Sequence, residues 1–322
     1  MKNHFVIFVG LVVLVVLVVF SSPAAAQSAP SAKEIEHGVQ APELSHIKEE
    51  IVRLHAERPE LFAQVAIMKT QVAQADRRRR GRLAHVSPLY RSLGPDALLP
   101  MLYTIAAETP LETGLMPRAW VAYRGGMLEA VGNLRDPRSA PVLWAVLDGP
   151  TSHPVILRAA AEAIARLGDD ENVSRLITFT GRAEDHQHVF VASLGTARRV
   201  PSALFLAGLA RDSTEAEVRQ AAVRALGDVA NDWAWQTTEI AGSGEGEEVR
   251  AIAFAALLEI YLETRGLLRE EAAKSLLLVN SPGALDSVEK ARTRADKGQR
   301  TALDDLARRL ENNPLNRSLS SP

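Results

Sequence analysis

Apolar residues recur at helical spacing along most of this chain. Two stripes come first, separated by Pro59, and polar residues fill the positions between them. Residues spaced by three, four or seven positions share one face of a helix, so each stripe predicts an amphipathic helix. The first stripe contains Leu44, Ile47, Ile51 and Leu54, and the second contains Leu61, Val65, Met68 and Val72.

The stretch from Glu129 to Leu143 shows how the following helices are joined. Small residues lead into Leu134, Asp136 and Pro137 come next, and another apolar run follows. Aspartate is a favoured N-cap residue, and proline is tolerated at the first helical position because the N–H it lacks there has no partner in any case. The stretch therefore predicts the end of one helix, a tight turn and the start of a second helix.

This helix–turn–helix pattern is repeated. Related stretches begin at Tyr123, Ile156, Val218 and Val249, and a degenerate stretch contains Gly195. Their spacing is about 30 to 33 residues, which indicates a repeat architecture. Two short helices cannot bury their apolar faces alone, so the units are expected to stack. The sequence predicts an all-α superhelix of at least five helical pairs between Gly94 and Asn280, with Leu167 in its core.

The repeats resemble the HEAT-like repeat, in the short bacterial form also called the PBS-lyase repeat. That pattern is V-R-x-x-A-A-x-A-L-G-x-L-G-D followed by a helix start that contains proline. The resemblance covers about Gly94 to Asn280 and implies an α-solenoid. Some relatives are pigment lyase subunits, but the resemblance identifies no catalytic residue here. The tetratricopeptide pattern is missing. The matching positions are Tyr123, Arg124, Ala130, Gly132, Leu134 and Asp136; Ala160, Ala163, Leu167, Gly168 and Asp169; and Val218, Arg219, Ala222, Ala225, Gly227 and Val229.

The first residues have the layout of a secretory signal peptide. Lys2 precedes an apolar run from Phe5 to Phe20, and Pro23 and a run of alanines ending at Ala26 follow. A positive start, an apolar centre and small residues at the end define such a peptide. We expect cleavage after Ala26, a periplasmic or secreted mature chain, and no membrane span after cleavage. Retention of this segment as a membrane anchor is the alternative, although the run is shorter than the roughly 20 residues of a typical span.

The predicted organisation has six parts. They are a signal peptide (1–26), a linker (27–41), an N-terminal helical segment (42–93), the repeat array (94–280), C-terminal capping helices (281–313) and a disordered tail (314–322).

Composition removes several classes of function. The chain has no Cys, so it has no disulfides, thiolate metal ligands or cysteine nucleophile. Its net charge is −2, and the arginine-rich run 77–82 lacks interleaved aromatic residues, so we expect no nucleic-acid partner. The motifs of serine hydrolases, zinc proteases and dinucleotide-binding enzymes are all missing. The acidic and histidine-containing stretch 184–188 fits a polar turn better than a metal site, because His186 and His188 would diverge on a helix. We predict no cofactor and no metal site.

The candidate binding surface contains two tryptophans and two arginines. Trp233 and Trp235 would point about 200° apart on a helix, so both cannot face one core. Exposed tryptophan is a frequent anchor of protein interfaces. Arg198 and Arg199 lie at a neighbouring turn and are expected to flank the surface. The alternatives are that both tryptophans pack inside the array and that the arginines are simply solvated.

Two classes of function remain. The first is an exported, non-catalytic scaffold that binds another protein through the solenoid surface, or the same scaffold held at a membrane by an uncleaved N-terminal helix. The second is an enzyme or a lyase-like accessory subunit. A scaffold would expose aromatic and charged side chains, whereas an enzyme would have a deep polar pocket with perturbed titratable groups.

Processing gives the first testable prediction. N-terminal sequencing of the protein extracted from its host should begin at Gln27, because the small residues ending at Ala26 form the cleavage site. Ala26→Arg, as the matched variant, should accumulate with residues 1–26 still attached. A wild-type chain that begins at Met1 and sediments with membranes would contradict the prediction.

Overall fold

The structure is a computed structural model that describes residues 29–79, 82–150, 153–183 and 185–316. Regular structure in these ranges is entirely helical, with no strand, so the predicted all-α fold class is confirmed. The proposed signal peptide, residues 1–26, lies outside the described residues.

Nineteen α-helices occur in the described part of the chain, with short 3₁₀ turns between some of them. The first nine are α1 (Ala32–Gly38), α2 (Lys48–Glu57), α3 (Pro59–Arg78), α4 (Ser87–Arg91), α5 (Leu98–Ala107), α6 (Pro110–Thr113), α7 (Pro117–Leu134), α8 (Ala140–Asp148) and α9 (Pro154–Leu167). The others are α10 (Asp170–Arg182), α11 (Gln187–Leu194), α12 (Val200–Asp212), α13 (Ala216–Val229), α14 (Asp232–Trp235), α15 (Thr238–Ala241), α16 (Gly246–Glu263), α17 (Leu267–Val279), α18 (Ala284–Arg294) and α19 (Lys297–Glu311).

The helices form two layers, and the chain alternates between them. The first layer consists of α4, α7, α9, α11, α13 and α17, and each of these helices packs on the next. The second layer consists of α5, α8, α10, α12 and α16. Apolar side chains between the layers form one continuous buried core. This stacking of helical units is the arrangement expected of an α-solenoid.

First-layer helices approach one another closely at glycine. A Cβ atom added to Gly132 on α7 would lie 2.6 Å from the Cα of Ala163 on α9. At Gly227 on α13 it would lie 2.8 Å from the Cβ of Ser275 on α17. Real Cβ atoms do not approach other atoms so closely, so the glycine in the repeat pattern allows the backbones of neighbouring units to touch.

The turn after α7 has the predicted form. Arg135 ends the helix with a left-handed backbone, at φ 52°. The Asp136 side chain accepts a hydrogen bond from the Arg138 backbone N–H at 2.9 Å, and Pro137 occupies the first position of the next helical turn. This N-cap satisfies a donor that would otherwise lack a partner at the helix start. The prediction of a helix end followed by a helix start is confirmed.

The segment predicted as a linker, 27–41, contains a helix. Ser31 and Glu34 form a reciprocal capping box that starts α1. Ile35 and Val39 are buried against the array. Tyr103 on α5 donates a hydrogen bond to the Glu34 carbonyl at 2.9 Å. The extended-linker prediction is therefore wrong for residues 32–38, because two apolar residues in a polar stretch were sufficient to dock this helix.

One repeat helix lies in the second layer, although its sequence resembles that of a first-layer helix. The stretch from Val249 resembles the first helix of a repeat, yet it forms α16, which packs on α12 in the second layer. The segment 230–245, which includes α14 and α15, intervenes between α13 and α16. It lengthens the connection within the unit, and α17 then takes the next first-layer position beside α13.

The C-terminal helix packs as its apolar stripe predicts, but regular structure extends beyond it. Leu303, Leu306 and Leu310 on α19 are buried, as their spacing predicts. The predicted disordered tail begins too early, because residues 314–316 form a 3₁₀ turn that Asn316 holds by donating to the Leu310 carbonyl at 2.9 Å. Leu167 is only half-buried at the end of α9, so its core prediction is wrong.

The glycine contacts can be tested by substitution. Gly132→Ala should lower the free energy of unfolding by about 1–3 kcal/mol, because its methyl group would overlap the α9 backbone. Gly208→Ala, on α12, is the matched control, since nothing lies within 4 Å of its added Cβ. It should stabilise by about 0.5–1 kcal/mol through helix propensity. Urea denaturation measures both, and equal changes in the two variants would contradict the close approach at Gly132.

Candidate functional site

Two of the four residues singled out in the sequence, Trp235 and Arg198, contact the C-terminal end of α13. Trp235 donates its indole N–H to the Val229 carbonyl at 2.9 Å. Arg198 donates from Nη1 to the Asp228 carbonyl at 2.6 Å. The structure therefore brings together residues from two successive units at the last turn of one first-layer helix.

The two tryptophans diverge, as their spacing predicts. Trp235 is buried, with 7% of its surface exposed, whereas Trp233 is 44% exposed. A Cβ added to Gly246 would lie 2.8 Å from the Trp235 ring, so the indole packs closely on the start of α16. Trp235 is therefore a structural residue, and Trp233 is the one with a large accessible aromatic surface.

Polar contacts hold the segment that carries Trp233. The Asn231 side chain accepts a hydrogen bond from the Trp233 backbone N–H at 3.1 Å. The Asp232 carboxylate lies 2.8 Å from Arg250 Nη1, and both side chains are largely buried. Asn280 donates to the second oxygen of Asp232 at 3.3 Å. These contacts join α14 to α16 and to the end of α17, so the backbone that positions Trp233 is held by two other helices.

Arg199 joins three parts of the array. Its Nε lies 2.6 Å from a Glu245 oxygen, its Nη2 lies 2.6 Å from Asp170, and its Nη1 donates to the Gly168 carbonyl. The other Glu245 oxygen accepts the Val200 backbone N–H at 2.7 Å. The Arg199 side chain is only 20% exposed. The alternative that it is simply solvated is therefore wrong, since its donors are used inside the protein.

Arg198 makes a helix-capping contact that occurs twice in the array. Arg135 and Arg198 both have left-handed backbones, at φ 52°. Arg135 donates from Nη1 to the Arg166 carbonyl at 2.6 Å, and Arg198 makes the equivalent bond to Asp228. Each arginine thus follows one first-layer helix and caps the last turn of the next, where cations are favoured by the helix dipole. Sequence reasoning missed this role because the acceptors lie about 30 residues further along the chain.

Burial perturbs the charged groups at this end of α13. It lowers the pKa of Arg198 to about 10, and the Asp228 carboxylate opposes that shift. Burial also raises the pKa of Asp228, against the effect of Arg198 and Arg158. Arg198 remains positively charged near neutral pH, so its hydrogen bond to the Asp228 carbonyl is charge-assisted.

Two cavities of the described structure contain none of the four residues. One, of about 290 Å³, lies between residues 83–86, α7 and α9, with Glu129 and Arg158 at its edge. The other, of about 360 Å³, lies between the Pro42–Leu44 turn, α5, α7 and α8, and contains Trp120 and Arg124. The predicted surface at Trp233 is thus separate from these two cavities.

The stretch 184–188 does not form a metal site in the residues that are described. No group of three or more potential His, Cys, Asp or Glu ligands occurs among them. His188 Nδ1 lies 3.7 Å from Glu217, and Glu184 lies outside the described residues. Within the same ranges, no helix has the length and hydropathy needed to cross a membrane.

No protein-family model matches the chain, and no curated protein is significantly similar to it.

The role of Arg199 gives a stability prediction. Arg199→Ala should lower the free energy of unfolding by about 1–3 kcal/mol, because it removes a charge-assisted contact between units and leaves the Glu245 carboxylate without its cationic partner. Arg211→Ala is the matched control, since Arg211 and its partner Glu259 are both 45% exposed. Its effect should stay within about 0.5 kcal/mol. Similar losses in chemical denaturation for both variants would contradict a structural role for Arg199.

Proposed function

We propose that the mature chain is an exported, non-catalytic HEAT-like scaffold that binds a protein partner through the solenoid surface, with Trp233 as an anchor. The exposed Trp233 side chain on a firmly held segment is the observation that carries this proposal. Tryptophan supplies a large contact area at a small entropic cost, which is why it is enriched among the residues that dominate binding energy.

The location of Trp233 supports this role. It lies in the segment 230–245, which departs from the regular repeat and projects an aromatic side chain beside α16. Because the backbone around it is fixed by Asp232 and Asn231, docking would order little additional structure. In this proposal Arg198, Arg199 and Trp235 form the rigid base of the surface, and the partner contacts Trp233.

Export to the periplasm or outside the cell is the second part of the proposal. It rests on the N-terminal pattern that ends at Ala26 and on the absence of Cys from the chain. A chain without cysteine has nothing to oxidise in such a compartment.

The partner surface can be tested with the two tryptophans. A photo-crosslinking residue at position 236, which is exposed on the same segment as Trp233, should first capture the partner in the native host. With that partner purified, Trp233→Ala should weaken binding about 30-fold or more, equivalent to about 2 kcal/mol for loss of an anchor. Its melting temperature should hardly change, because the side chain is substantially exposed.

Trp235→Ala and Leu204→Ala provide the controls. Trp235→Ala should cost about 3–5 kcal/mol of stability, because it removes a buried indole. Leu204 on α12 is 56% exposed, so its truncation should affect neither stability nor binding. If Trp233→Ala binds the partner as tightly as Leu204→Ala does, Trp233 is not the anchor and the proposed surface is wrong.

A further inference from the structure

The larger cavity combines apolar walls with a buried cation. It has a volume of about 360 Å³, which is within the range of small-ligand sites. Its walls come from the Pro42–Leu44 turn, α5, α7 and α8, with residues 108–110, residues 149–150 and one residue from α9. The principal apolar residues are Ile105, Trp120, Val142, Val146 and Ile156.

Arg124 is the cation of this cavity. It is largely buried on α7, and its guanidinium carbon lies 5.5 Å from the centre of the Trp120 ring. Its Nη1 donates to the Ile105 carbonyl, a neutral acceptor. A guanidinium has five N–H donors, so a single acceptor leaves most of its capacity unused. Within the described residues, no carboxylate lies within 4 Å of Arg124, whereas Arg199 and Arg250 each have such a partner.

Glu108, an acidic residue that also lines the cavity, already has two polar partners. The Glu108 carboxylate lies 2.7 Å from Lys69 Nζ and accepts a hydrogen bond from Tyr123 at 2.9 Å. Burial lowers the pKa of Arg124 to about 10, with Tyr123, Glu108 and Glu43 acting against that shift. Arg124 therefore stays charged at neutral pH in a site where burying a charge without a counterion costs free energy.

We propose that this cavity binds an organic monocarboxylate with an apolar body, whose carboxylate pairs with Arg124. The planar guanidinium matches a carboxylate in a two-point contact. The apolar body would lie against Trp120 and the valines of α8 and would gain free energy by leaving water. Inorganic phosphate is polar on every side and would leave these walls unused.

Glu43 sets the charge preference of the site. It is half-buried in the cavity wall, and in the described residues no cation lies within 4 Å of it. Its negative charge would repel a second acidic group on the ligand, so monocarboxylates should bind better than dicarboxylates. The C-terminal residue of a peptide and a free organic acid share the recognised chemistry, and the experiment separates these two sources.

The test is titration calorimetry on the purified mature chain. Hexanoate should bind, whereas hexylamine and adipate, which is the dicarboxylate of the same length, should bind at least about tenfold more weakly. A short peptide ending in leucine, with a free or an amidated C-terminus, forms the second arm. Tenfold tighter binding of the free peptide than of hexanoate identifies a protein C-terminus as the source, and the reverse order identifies a free acid.

Three variants connect any binding to the cavity. Arg124→Gln and Ala145→Leu should each weaken hexanoate at least about tenfold, the first by removing the charge and the second by filling the cavity from α8. Arg158→Gln is the matched control, since it removes the same charge from an exposed site on α9 and should leave binding unchanged. A thermal melt checks each fold, and Ala145→Leu keeps the test decisive if Arg124→Gln is unstable.

Two results would overturn the proposal. The first is no heat of binding for hexanoate or the free peptide at about 10 mM, a concentration far above that needed for specific recognition. The second is binding that persists equally in Arg124→Gln and Ala145→Leu. Neither result tests Trp233, which lies outside this cavity. The proposed protein-binding function is therefore tested independently.

Discussion

Close backbone contact between consecutive first-layer helices is the constraint on which the rest of the structure depends. Gly132 meets the α9 backbone at Ala163, and Gly195 meets α13, where an added Cβ would lie 3.2 Å from the Cα of Ala225. Side chains of ordinary size would hold the helix axes apart. Only at this separation do the C-terminal turns of adjacent helices lie near enough for Arg135 to reach the Arg166 carbonyl.

Local features of the fold were predictable from the sequence because their causes are local. The apolar stripes, the Asp136–Pro137 helix start and the divergence of Trp233 and Trp235 each depend on residues within a few positions of one another. The helix in the segment predicted as a linker was missed because α1 is short and depends on docking. Its two buried apolar residues, Ile35 and Val39, are too few to establish a periodic pattern in a polar stretch.

Features that join distant parts of the chain were not predictable in the same way. The layer occupied by α16 depends on the segment 230–245, whose effect appears only when α12 and α17 are in place. The roles of Arg198 and Arg199 depend on carbonyl groups in neighbouring units. The cavity at Arg124 has walls from several separate elements. The sequence pattern identifies Tyr123 and Arg124 only as positions of the repeat. Which tryptophan is exposed likewise depends on the contact between Trp235 and Gly246.

The arginine contacts between units also determine how the array responds to thermal fluctuation. A solenoid behaves as a one-dimensional series in which each unit has its own stability and a coupling to its neighbours. The C-terminal end of α9 receives Arg135 from the preceding unit and Arg199 from the following one. Opening α9 therefore breaks charge-assisted bonds on both sides, which adds to the coupling and disfavours the independent loss of one unit. The central units should consequently exchange their amide hydrogens as one cooperative block, while the ends of the array, which have neighbours on one side only, open first.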